Sequence, residues 1–105
     1  MNKQISATEA SILHNNGEAI LLDVREDTEL AICKIEGALH IPMGEIPDRF
    51  VTLPKDKQVV VFCHHGMRSS NVQQFLLSKG FDNITNLQGG IHAWSEDIDP
   101  QVTQY

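Results

Sequence analysis

Cysteine is scarce in this chain: 105 residues carry only Cys33 and Cys63. Two thiols cannot form the disulfide framework of a small exported domain. The opening stretch MNKQISATEASILHNNG has no continuous apolar core, so no export signal is read there. Both thiols are therefore expected to be reduced, in a cytoplasmic protein. Long apolar runs are missing too. None approaches the roughly 20 residues that cross a bilayer. Positive charge is also in short supply, with eight Lys and Arg against fourteen Asp and Glu and a formal net charge of -6. Such a surface repels phosphate backbones and anionic lipid, which excludes non-specific nucleic-acid and membrane partners. An anionic small substrate would need a local positive pocket. There is no internal repeat, low-complexity tract or interdomain linker. The length suits one domain over 1–105, with a core at about 5–98 and a polar tail at 99–105 that is expected to fray.

What is present alternates between strand and helix patterns. Ser6 and Glu9 read as a capping box for a short helix that Gly17 stops. AILLDV (Ala19 to Val24) has strand length and is followed by a charged turn, REDTE. ALHIP (Ala38 to Pro42) reads as a second strand, and MGEIPDRFVTL holds a short helix or helical turn. VVVFC (Val59 to Cys63) has no polar alternation, the pattern of a strand buried on both faces. The helix after it sets Val72, Phe75 and Leu76 on one stripe and stops at Gly80. FDNITNL gives a last strand, and IHAWSEDI a last helix with Trp94 in the core. Short connections between alternating elements predict an α/β fold with a parallel sheet.

The loop between the apolar strand and its helix, CHHGMRSS, holds the chemistry. Cys63 falls at the carboxyl end of the strand, about five residues before the helix. Unpaired N–H groups and the positive end of the helix dipole favour thiolate there. Arg68 adds fixed positive charge, and Gly66 lets successive N–H groups turn inward into an anion cradle. Ser69 and Ser70 are suited to cap the helix. Arg68 either touches substrate or braces the loop against an acidic neighbour, and His64 and His65 either line the pocket mouth or face solvent. A Cys-His-His metal site is disfavoured by the missing ligand spacings, so neither metal nor cofactor is expected.

CHHGMRS resembles the active-site loop of the rhodanese family of sulfurtransferases. LLDVRE, IEGALHIP and LQGGIHAW resemble further landmarks of that family, in the same order, from about Ile20 to Trp94. Cys33-Lys34 stands where the family often has Gly-His, and His40 where it has Asn. The resemblance implies a rhodanese-like domain with a mostly parallel central sheet of about five strands flanked by helices. It implies that Cys63 takes a sulfane sulfur from a donor such as thiosulfate and passes it to cyanide or a thiol. His64, His65, Gly66, Met67, Arg68 and Ser69 would form the substrate cup. Asp23 and Arg25 would act mainly as an internal charge pair that supports the loops. Cys33 is a weak candidate for a resolving thiol. The rival readings are a persulfide carrier or binding module serving a partner protein, and a cysteine-based phosphatase or arsenate reductase. That last group has five residues between Cys and Arg, whereas HHGM supplies four.

Overall fold

The computed structural model of the chain describes residues 3–105. Strand β4 (Gln58–Phe62) sets its centre, with Val59, Val60, Val61 and Phe62 all fully buried. Successive side chains of a strand point to opposite faces. Val59 and Val61 join Leu22, Val72 and Leu76 in one apolar cluster, and Val60 and Phe62 join Leu21, Ile91 and Trp94 in another. Two covered faces are why this strand reads as an unbroken apolar run.

Around β4 lie β1 (Gln4–Ile5), β2 (Ala19–Asp23), β3 (Leu39–His40) and β5 (Ile84–Leu87), in the order β1-β5-β4-β2-β3. All the pairings are parallel. Helices α1 (Ala7–Asn15) and α5 (Gly90–Asp97) contribute Ala7, Ala10, Ile91 and Trp94 to the core on one face. Helices α3 (Ile46–Arg49) and α4 (Met67–Ser78) contribute Ile46, Val72 and Leu76 on the other. A short α2 (Asp27–Leu30) follows β2 and buries nothing. No helix among the described residues is long and apolar enough to cross a membrane.

Several expectations need correction. The fifth strand, β1, has only two residues and therefore no periodic signature. REDTE is no simple turn, because Glu26 and Glu29 close a capping box on α2. The ALHIP strand shrinks to Leu39–His40. Helix α4 begins at Met67 with Gly66 at its cap, so Ser69 and Ser70 already lie inside its first turn. The polar tail does not fray. Val102 is buried against the α1/α5 core, and the Gln104 side chain donates to Ser95 Oγ at 3.0 Å.

The connections fix where a ligand can sit. From β2 the chain crosses outward to β3, and from β4 it crosses the opposite way to β5. The two exits diverge and leave a crevice above the carboxyl ends of β2 and β4, the usual ligand position in an open parallel sheet.

Candidate functional site

Cys63 follows β4 directly and is only 1% exposed. Gly66, at φ +121°, turns the chain sharply into α4. At that turn the Gly66 N–H donates to Cys63 Sγ at 3.1 Å, and the Ser69 N–H, in the first turn of α4, donates to it at 3.4 Å. No side chain caps this helix. The sulfur instead takes the place of a capping oxygen for donors that have no partner inside the helix.

The last glycine pair holds the other side of the loop. The Ile91 N–H donates to the Cys63 carbonyl at 2.9 Å, and the His92 N–H to that of His64 at 3.2 Å. A Cβ on Gly90 would stand 2.5 Å from both carbonyl oxygens, so only glycine lets α5 approach so closely. With its carbonyls held away by α5, the loop turns its N–H groups toward the sulfur.

Burial pushes the Cys63 thiol up, but hydrogen bonds from the Ser69 hydroxyl and from the N–H groups of Ser69, Gly66 and His65 outweigh it. The net effect holds the thiol below its ordinary range. The backbone donors are the dependable part. The Ser69 hydroxyl, 3.4 Å from the sulfur, lies 2.5 Å from Asn86 Oδ1 and has one proton to give. Asn86 is fixed in that orientation because its Nδ2 donates to the Gly66 carbonyl at 3.2 Å.

Charge is arranged in two layers. Arg68 makes a bidentate pair with Glu29, at 2.6 and 2.9 Å, across the crevice between the β2 and β4 loops. That pair raises the Arg68 pKa, and the Arg68 hydrogen bonds hold Glu29 down to about 2. Beneath it, fully buried Arg25 pairs with Asp23 at 2.8 Å and donates to the Cys33 carbonyl at 2.8 Å. Burial works against the Arg25 charge, but its bonds to Asp23 and Tyr105 win and raise its pKa. His40 Nε2 lies 2.7 Å from the Arg25 carbonyl, so the histidine at the family's Asn position still tethers this loop.

Tyr105 closes one side. Its hydroxyl donates to Glu29 Oε2 at 2.6 Å and accepts from Arg25 Nη1 at 3.0 Å, and its ring stacks on His64 at 3.8 Å. Burial and the Glu29 bond push the phenol up to about 12. Burial and the neighbouring His65 push His64 down, favouring neutral imidazole.

A pocket of about 350 Å³ is lined by Cys63, His64, His65, Met67 and Arg68. Gly66 and Ser69 support it from below through the sulfur bonds and do not line it. Asp23 and Arg25 sit beneath the neighbouring loop, away from the lining. Cys33 does not line the pocket either, and its sulfur lies 3.7 Å from Arg25 Nη1. A second, apolar pocket of about 180 Å³ between α3 and α4 offers no nucleophile. Gly90 falls in the LQGGIHAW landmark, whereas Glu29, Asn86, His92 and Tyr105 are not read as site residues in the sequence. Among those four, only Asn86 gives a usable signal, as an amide in a strand-length stretch, where a buried polar group needs partners.

The sequence matches the Rhodanese-like domain family over residues 6–97. It is 46% identical over 84 residues to YtwF of Bacillus subtilis, an inferred sulfurtransferase by name, covering 80% of this chain and 81% of that one. It is 35% identical over 94 residues to the thiosulfate sulfurtransferase GlpE of Coxiella burnetii, covering 90% of this chain and 88% of that one. A rhodanese-related protein of Thermoplasma volcanium has the same fold, with a TM-score of 0.81 and 35% identity over 98% of this chain and 99% of that one. The match over residues 6–97 and these relatives make this chain, with its buried cysteine under helix-end N–H groups, a member of the rhodanese-like domain family.

Proposed function

We propose that the chain is a sulfurtransferase that carries sulfane sulfur on Cys63. The observation that carries this reading is the pair of N–H donors on Cys63 Sγ, from Gly66 and Ser69, at the floor of an open pocket. The Cys63 thiolate attacks the outer sulfur of thiosulfate. The sulfur–sulfur bond of thiosulfate breaks, and sulfite leaves with the electron pair. Cys63 is left as a persulfide whose terminal sulfur bears the charge, within the field of the helix N-terminus and Arg68. A thiolate acceptor then attacks that terminal sulfur and departs as a persulfide, or cyanide departs as thiocyanate, and the Cys63 thiolate is restored. His64, His65, Met67 and Arg68 form the walls against which donor and acceptor bind, and no metal or cofactor takes part in the transfer.

Two observations weigh against phosphatase chemistry. Both terminal nitrogens of Arg68 are bonded to Glu29, and HHGM makes a loop one residue shorter than that chemistry uses. A sulfur-relay role uses the same persulfide, with a partner protein as donor or acceptor. Met67, 80% exposed on the pocket rim, is the apolar surface such a partner would meet first. We further propose one domain over 1–105 acting in the cytoplasm, where Cys63 stays reduced.

The test is intact mass of reduced protein before and after thiosulfate, for wild type and Cys63→Ala, followed by cyanide. The expected result is a gain of one sulfur that requires Cys63 and is removed by cyanide. If wild type gains no sulfur from thiosulfate or from a persulfidated protein donor, the transfer reading is wrong.

A further inference from the structure

Three imidazoles meet beside this pocket, where its loop packs on α5. His64 and His65 come from the loop after β4 and His92 from α5, and one ring nitrogen of each lies within 4.8 Å of the others. The backbone bond from His92 to the His64 carbonyl ties the two elements together at 3.2 Å. The His64 and His65 ring centroids are 4.1 Å apart, and those of His65 and His92 are 5.0 Å apart. Neighbours in sequence seldom share a metal ion. In this irregular loop, however, both rings reach the same side.

Two of the six ring nitrogens are buried without any hydrogen-bond partner, His64 Nε2 and His92 Nδ1. A buried polar atom left unpaired costs on the order of 1–3 kcal/mol, so two in one cluster point to a missing partner. On His92 the other nitrogen, Nε2, lies 3.4 Å from Glu96 Oε1. A proton on Nε2, which that carboxylate favours, leaves a bare lone pair on Nδ1 of His92. A carboxylate behind a histidine whose far nitrogen is free is the usual outer arrangement of a metal-bound imidazole.

We propose that His64, His65 and His92 bind a zinc ion beside the Cys63 pocket, between its loop and α5, with Glu96 as the outer partner of His92. Three neutral imidazoles and one open position suit zinc, whose metal–nitrogen bonds of about 2.0–2.1 Å set nitrogens roughly 3.4 Å apart in a tetrahedron. Exposed His65 is free to swing inward and close the remaining gap. His64 and His65 also wall the pocket, so a bound ion fixes both rings beside the sulfur and slows its loading.

Calorimetric titration of zinc into reduced, metal-free, chelator-free protein tests the site directly, without reference to any sulfur chemistry. Wild type and Cys63→Ala should each bind one zinc per chain. His92→Ala and the exposed-position variant His65→Ala should bind at least about tenfold more weakly, with circular dichroism confirming that both are folded. Saturating zinc should slow sulfur loading of wild type at least tenfold, and the zinc giving half of that effect should be at least tenfold higher for His92→Ala. Loss of binding in Cys63→Ala would put the metal on the thiolate and overturn the site. So would unchanged binding in both folded histidine variants, or no wild-type binding at 100-fold molar excess of zinc.

Discussion

At the scale of single residues, Cys63 differs from an ordinary buried cysteine through its donors. Its carbonyl is held by α5 and its sulfur by the start of α4, so the thiolate is favoured before any substrate arrives. Because the thiol lies below its ordinary range, its alkylation by iodoacetamide should persist at pH values where glutathione, titrated alongside, has largely stopped reacting. Superposed pH profiles would mean that burial wins. Glu29 is governed by a different linkage. Its folded value of about 2 lies under the ordinary 4.5, so its ionised pair with Arg68 stabilises the fold above pH 4.5. That contribution is lost as pH falls toward 2. Glu29→Gln should therefore be clearly less stable than wild type in urea at pH 7, and the gap should narrow steadily below pH 4.5. A gap independent of pH would show that the pair contributes through packing alone.

At the scale of elements, the loop works because two helix starts act on it from opposite sides. Gly90 is where α5 presses on the Cys63 and His64 carbonyls. Gly90→Ala should cost about 1–3 kcal/mol in urea unfolding, and should raise the Cys63 thiol as the loop is pushed off its N–H geometry. An unchanged alkylation profile in that variant would mean that α5 holds the loop without shaping the sulfur site. The same contrast explains what the sequence disclosed. Cys63, Gly66 and the apolar β4 run are local signals, set by a strand end, a turn and a helix start within ten residues. The periodic stripe of α4 and the unbroken apolar run of β4 are legible for the same reason, whereas the two residues of β1 are too few to show a pattern. Glu29 and Tyr105 act through a crevice that exists only once β2 and β4 lie side by side. Nothing near Glu29 in the chain says that Arg68 will face it. The polar composition of 99–105 suggested fraying, and it was overridden by buried Val102 and by the Tyr105 hydroxyl between Glu29 and Arg25.

At the scale of the whole molecule, the sheet order joins the two ends of the fold. Strand β1 pairs only with β5, matching Gln4 with Asn86 and Ile5 with Leu87. Gln73 in α4 and the Asn86 N–H both donate to the Lys3 carbonyl. Parallel neighbours cannot form by a hairpin, so each strand waits for a crossover before it finds its partner. On the ribosome this delay becomes literal: β1 leaves about 80 residues ahead of β5, seconds apart at roughly 5–20 residues per second. Until β1 returns, one edge of β5 has no ladder partner and is open to other chains. That same strand holds Asn86, which ties down Ser69 and Gly66. An unpaired β5 therefore exposes the nascent chain to aggregation, and the strand whose docking ends that exposure also brings Asn86 to the cup.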